Sequence, residues 1–445
     1  KFGNVFGKFN NHIDIRPFHL YSIQKFSNKS CLYFILFATQ KYLQHFKMSD
    51  EANEKNVAAT STIRRKLLQF IKKYFLEGQK YSHEENTIIQ EDRASIDNLL
   101  DRHRKLFGFL IPIIFFQTIY WLLAFRYNFY HYFKEKYTMS IVMIFGALIG
   151  GMTTEGGGAV AFPIMTLALN ISPVVARDFS FMIQSCGLTA ASFSILFTGI
   201  LVEWHSILFS TFGAIFGVIF GLEIVDPLMT PAEKKMTFVS VFFSFAIALF
   251  ILNFEKKRKT FDKIDQFTLS RAFILMINGF AGGIFTGIAG SGIDIYSFSI
   301  LTLYFRISEK VATPTSVILM AANSMVGFFW RYFMQNAIQQ ESWEYFAVCI
   351  PIVVIFAPVG SYIASCLHRL TLASFIYILE TVALVSAFLI IKLDWPLIIF
   401  TMSIIIGSLI FYIVMSECGK KLMIQKIKPS EMKEKMNDIT VASAV

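Results

Sequence analysis

Two apolar stretches of this chain carry more glycine than a regular membrane helix can hold. The first, GALIGGMTTEGGGAVAFPIMTLAL, runs from Gly146 to Leu169; the second, GFAGGIFTGIAGSGIDIYSFSILTL, runs from Gly279 to Leu303. Each contains six glycines and a single carboxylate, Glu155 in the first and Asp294 in the second. Glycine in a helix interior costs about 1 kcal/mol relative to alanine. Lipid permits a broken backbone only where protein or a water-filled cavity takes up the freed amides. Two such breaks at matching places are the pattern of a transporter assembled from related halves, with its solute held between broken helices.

Composition agrees with a membrane setting. Of 445 residues, 55% are hydrophobic and 16% charged, against about 25% charged in soluble domains. The 49 phenylalanines are more than a soluble core of this size would bury, whereas a membrane protein can turn them to lipid. The net charge of +10 sits in loops and tails between apolar runs, where it sets orientation, so nucleic acid is not an expected partner. Cys31, Cys186, Cys349, Cys366 and Cys418 show no metal-ligand or redox spacing; Cys418, just past the last span, is a candidate for palmitoylation. Neither glycine cluster contains the GK[ST] of a phosphate-binding loop. No cofactor, metal site or catalytic group is expected.

The expected fold class is all-α: a polytopic helical membrane protein with two Gly-rich broken-helix hairpins forming an inverted repeat. Apolar runs of spanning length occur at 106–125, 179–199, 206–226, 236–254, 313–333, 343–366, 372–391 and 395–415, besides the two Gly-rich segments. All five tryptophans fall near proposed span ends, as an interfacial belt requires. The tail after Met415 and the residues before the first span, Arg102, Arg104 and Lys105, are basic and therefore cytoplasmic. The connector Phe254–Arg271 carries six further cations. It lies on the same side only if Met139–Asn170 enters and returns as a hairpin, and 32 residues suit two half-crossings better than one. The first hairpin then enters from outside and the second from inside. Arg126, Lys134, Lys136, Lys234 and Lys235 run against this assignment. The expected location is the plasma membrane, with both termini cytoplasmic and a homo-oligomer as one option.

Four regions follow: an unassigned segment 1–47, a polar cytosolic region 48–105, a transporter domain 106–415 (repeats 139–254 and 271–391) and a basic tail 416–445. Met48 opens a more ordinary start, so 1–47 reads as upstream sequence or a fragment, and its short apolar patch Cys31–Ala38 does not reach spanning length. Arg64–Gly78 reads as a basic amphipathic helix, lying either on an anionic leaflet or on the protein's own cytosolic face.

The halves align beyond glycine. Gly150-Gly151 matches Gly282-Gly283, Gly156 and Gly158 match Gly290 and Gly292, and Val175-Ala176 matches Val311-Ala312. Ser180 and Ser316 follow each alanine by four residues. The block from Gly156 to Ser180, GGGAVAFPIMTLALNISPVVARDFS, resembles the sulfite exporter TauE/SafE family, and Gly279–Gly292 fits the same pattern less closely. The resemblance covers about residues 139–415 and implies transport of small anions such as sulfite, thiosulfate or sulfonates. Ser297 in place of Pro163, the added Ser291 and Asp294, and Ala176–Ser180 depart from the family pattern and leave the substrate open.

An anion needs donors and positive potential, which the exposed amides at a helix break supply. Gly156, Gly157, Gly158, Gly290, Ser291 and Gly292 are the expected cradle, with Ser180, Gln184, Ser316 and Asn323 contributing from the following helices. Tight helix packing is the competing use of the glycines. A carboxylate at mid-bilayer costs about 2.5–3.5 kcal/mol on insertion scales, so Glu155 and Asp294 are expected either to couple transport to protons or to cap a helix. Arg331 is expected to snorkel, Arg177-Asp178 to form a local ion pair, and Glu203, Glu223, Asp226 and Glu380 to be solvated or capping. An anion channel or a non-transporting receptor on the same fold is the alternative. An intramembrane serine protease is weaker still, because Ala289-Gly290-Ser291-Gly292 has only His368 after it.

Overall fold

The computed structural model describes residue 69 and residues 103–153, 157–253, 260–264, 267–367 and 369–442. The amphipathic segment, most of the basic connector, Glu155, Gly156 and His368 lie outside the described residues. What is described is helical, without a named strand; one isolated bridge joins Phe261 to Ile307. In chain order the helices are α1 (Arg104–Tyr127), α2 (Tyr130–Met152), α3 (Gly158–Pro163), α4 (Pro173–Thr198), α5 (Trp204–Phe220), α6 (Pro231–Asn253), α7 (Leu269–Ala289), α8 (Ile293–Ser299), α9 (Glu309–Phe329), α10 (Gln340–Cys366), α11 (Arg369–Ile390) and α12 (Trp395–Ala442). Wider i→i+5 turns continue α3 over Ile164–Ala168, α5 over Gly221–Val225, α8 over Ile300–Tyr304 and α9 over Trp330–Met334.

Among the described residues, nine helices are long and apolar enough to cross a membrane. Eight overlap the expected windows; the ninth is α7, the first arm of the second Gly-rich segment. Side chains such as Leu122, Phe125 and Leu389 stand well exposed on the outer surface, a placement that suits lipid better than water. Several boundaries differ from the expected ones. α4 starts at Pro173 rather than 179, because Ser172 in extended conformation accepts the Val175 N–H (3.3 Å) and Pro173 suits the first turn. It stops where Gly199 turns left-handed at φ 75°. α6 starts at Pro231, capped reciprocally: Thr230 Oγ1 accepts the Glu233 N–H and Glu233 accepts the Thr230 N–H at 2.7 Å. α2 begins nine residues before Met139, its first turns held by a Lys136–Glu344 ion pair of 3.1 Å.

Local geometry recurs at a constant spacing of 136 residues. Asn170 and Arg306 both turn left-handed, at φ 54° and 57°. Ile171 donates to the Met165 carbonyl as Ile307 does to Leu301, each at 2.8 Å. The Thr166 hydroxyl bonds Phe162 as Thr302 bonds Phe298. Ser172 and Ser308 stand in extended conformation before α4 and α9.

Glycine sets how closely two helix pairs approach. Along α5 and α7, a Cβ on Gly213, Gly217 or Gly221 would meet the backbone of Met276, Phe280 or Ile284, and one on Gly279 would meet Ser210. α2 and α10 do the same through Gly151 against Ala357 and Gly360 against Leu148. In lipid no hydrophobic force presses helices together, so backbone-to-backbone dispersion does it, and only glycine permits that distance.

Candidate functional site

The second break is built from α7 and α8. Gly290 ends α7 with φ 80° and donates its N–H to the Thr286 carbonyl at 2.8 Å. A side chain at this φ would be strained, so glycine is required here. The chain then reverses, and α8 lies back along α7: a Cβ on Gly282 would stand 2.9 Å from Ile293 Cα. Thr286 Oγ1 accepts the Ile293 N–H at 3.0 Å while donating to Gly282 at 2.9 Å. Asp294 is buried, and its carboxylate accepts from Ser291 Oγ at 2.7 Å and from the Ile295 N–H at 3.0 Å. Three amides of this turn, those of Gly290, Ile293 and Ile295, are therefore already engaged by the chain itself.

The two glycine clusters meet. Gln184 Nε2 on α4 donates to the Gly290 carbonyl at 3.1 Å. A Cβ on Gly158 would run into that same Gln184 amide and stand 3.1 Å from Ser291 Cβ. A Cβ on Gly290 would lie 2.7 Å from Ser180 Cβ. Gly158, Ser180, Gln184, Gly290 and Ser291 are thus brought to one place. The Ser180 hydroxyl donates to Ala176 at 2.8 Å and Ser316 to Thr313 at 2.8 Å, leaving each oxygen as an acceptor. Gln184 Oε1 and both amide atoms of Asn323 are buried without a hydrogen-bond partner, in side chains only 1% exposed. Burying an unsatisfied polar atom costs about 1–3 kcal/mol, so such atoms call for a ligand or water. α9 runs antiparallel to α4, with Gly327 against Phe181 and Arg331 against Asp178; that register sets Asn323 level with Gln184. Ser316 lies two turns from Asn323, roughly 10 Å along the axis, and is the expected residue most removed from the group. Gly157 faces a small void of about 10 Å³ shared with Gln184, Met143 and Val353.

A larger cleft, about 60 Å³ in volume, opens beside the first break. Gly151, Thr153, Ile195, Phe298, Thr313 and Pro314 are among its walls, drawn from both halves of the chain. Its lining is mainly apolar, with Asn253, Glu309 and Lys310 adding polar groups. Among the described residues no group of His, Cys, Asp and Glu could hold a metal ion.

Charges gather at the opposite end of α4. Arg331 is buried and grips Asp178 with two bonds, Nε to Oδ1 at 2.8 Å and Nη2 to Oδ2 at 2.7 Å. Arg177, 1% exposed, reaches Asp178 at 3.2 Å and Asp226 at 2.6 Å, and Lys234 reaches Asp226 at 2.7 Å. Arg331 therefore does not snorkel, and Arg177-Asp178 is part of a wider network. The fork of Arg331 finds a carboxylate one helix away, a better partner than the water it would have to stretch toward. Glu203 is likewise buried rather than solvated: it caps α5 and accepts the Ile264 N–H at 2.8 Å. The signal available in the sequence was charged residues at apolar span ends; their pairing across 153 positions was not readable.

The model of the family described as Sulfite exporter TauE/SafE matches residues 139–383, more than half of the chain. The chain belongs to that family. The match begins on α2 and ends within α11, so both breaks, the Gln184–Gly290 contact and the ion network lie within the matched residues, whereas α1 and α12 lie beyond them. TauE/SafE membership makes this a membrane transporter of anions and not an enzyme, in keeping with the nine apolar helices. No curated protein and no solved structure matches the chain.

Proposed function

We propose that this TauE/SafE protein moves a small sulfur oxyanion or organosulfonate, held between the two breaks where Gly158, Gln184, Gly290, Ser291 and Asn323 converge. The observation that carries this reading is the pair of buried amide side chains, Gln184 and Asn323, whose polar atoms lack full partners beside a break in the helix. Their NH₂ groups, that of Gln184 through the hydrogen not given to Gly290, can donate to an oxyanion without a fixed charge, which lets the anion leave again; the Ser291 hydroxyl can join them only once it lets go of Asp294. Gly156 and Gly157 would supply backbone approach and Gly292 the turn into α8, while Ser180 and Ser316 would supply hydroxyl contacts only by turning their hydrogens away from the Ala176 and Thr313 carbonyls.

The glycine pairs that clamp α2 on α10 and α7 on α5, together with the recurrences at 136 residues, support an inverted repeat in which α2–α3 enters from outside and α7–α8 from inside. Three of the five cations that oppose this orientation have local employment: Lys136 pairs with Glu344, Lys234 with Asp226, and Lys235 donates to the Thr166 carbonyl at 2.8 Å. Bound in this way they report little on sidedness. Both termini then face the cytoplasm, and the plasma membrane is the proposed location.

Asp294, and Glu155 in the first break, are the proposed proton carriers. An ionised Asp294 beside the anion repels it; a protonated one can donate to it. Uptake should therefore be greatest where Asp294 is protonated and fall as pH rises. In vesicles with an imposed proton gradient, Asp294→Asn should transport at a rate independent of pH. An unchanged pH slope in that variant would show that Asp294 only caps α8.

A further inference from the structure

We propose that the buried ion network centred on Asp178 and Arg331 is a latch that closes one end of the transport path. The state seen here is closed at that end and open at the other. This rests on the transporter reading above. The latch joins the two halves: Asp178, Arg177, Asp226 and Lys234 come from α4–α6, while Arg331 comes from the end of α9. It extends through Gln335, which accepts from Arg331 Nη1 at 2.7 Å and donates to Glu223 at 2.8 Å. Lys235 beside it is bound to the Thr166 carbonyl.

The 136-residue correspondence makes the two ends comparable. It maps Arg177 onto Thr313, Asp178 onto Pro314, and Arg331 back onto Ile195. Those three residues are walls of the cleft beside the first break. The positions filled by ion pairs at one end are therefore uncharged at the other, where they border open space. A buried ion pair is weak evidence for stability, because desolvation offsets the attraction; a switch is its better-attested use. Once water enters, the attraction between Asp178 and Arg331 falls steeply with the rise in dielectric, so the latch can part at modest cost. Asp178 lies two residues before Ser180 and six before Gln184 on the same helix, about 3 and 9 Å along its axis, so parting it uncovers the convergence of the two breaks.

The test uses the full chain, freed of its cysteines, in vesicles of known sidedness, with a membrane-impermeant thiol reagent added to either side. Two reporters are placed singly: Ser180→Cys, beneath the latch, and Thr313→Cys, in the cleft. In the parent, Thr313→Cys should react readily from the cleft side and Ser180→Cys slowly from the latch side. Asp178→Asn should raise the Ser180→Cys rate by about tenfold and lower the Thr313→Cys rate, a reciprocal shift between two states. Arg331→Lys keeps the charge but loses the two-bond grip and should shift both rates the same way, less far; it serves if Asp178→Asn does not fold. Unchanged rates, or both rates rising together as for simple loosening, would overturn the latch. Sulfite uptake by the parent in the same vesicles reads the transporter proposal separately, since the accessibility pattern stands or falls without it.

Discussion

Gly217→Leu should yield no folded protein. At Gly217 the main chains of α5 and α7 touch: a Cβ there would coincide with the Phe280 carbonyl, and its neighbours 2.9 and 3.0 Å away are also backbone atoms. A side-chain tip can swing aside, but a helix backbone cannot move without its partner contacts at Gly213, Gly221, Gly279 and Gly283. Overpacking a well-filled core costs about 1–3 kcal/mol even when side chains can adjust; separating two helices along a shared glycine seam costs more. The expected outcome is loss of the monodisperse peak in detergent chromatography. Gly407, with nothing within 4 Å of its would-be Cβ, provides the control, and Gly407→Leu should behave as the parent. A parent-like peak and melting temperature for Gly217→Leu would mean that α5 and α7 do not pack as described.

Gly158→Ala should fold but transport at least about tenfold more slowly, the equivalent of about 1.4 kcal/mol. Here the atom in the way is the Gln184 amide, the far end of a flexible side chain, with Ser291 Cβ at 3.1 Å. The protein can accept the methyl group by swinging Gln184 off the Gly290 carbonyl, so stability changes little. That swing removes the one hydrogen bond joining Gln184 to the second break and moves a proposed substrate donor. Thermal unfolding and uptake, measured on the same preparation, separate the two effects. An unchanged uptake rate in a folded Gly158→Ala protein would remove Gln184 and Gly158 from the transport path.

The helical class, the eight apolar windows and the family were legible because lipid imposes a simple rule: long apolar runs must be helices. The closeness of Gly158 to Ser291 could be anticipated only as a pattern, two clusters at matching offsets. The Asp178–Arg331 pair could not be anticipated, since a charge at a span end looks the same whether it reaches water or a carboxylate on another helix. The capping at the second break was half-legible: Asp294 stood out as a lone carboxylate among glycines, but its bond to Ser291 depends on Gly290 turning left-handed. Helix starts were misplaced where Ser172 and Thr230 begin a helix upstream of its apolar part. Apolar windows cannot register caps.

Radiolabelled sulfite uptake into proteoliposomes containing the purified chain tests most directly whether an anion is carried between the two breaks. Uptake should saturate with sulfite concentration, be inhibited by unlabelled thiosulfate or a short alkyl sulfonate, and collapse in Gly158→Ala. Uptake no greater than in protein-free vesicles for every one of these anions, or uptake that rises linearly without saturation, would contradict it.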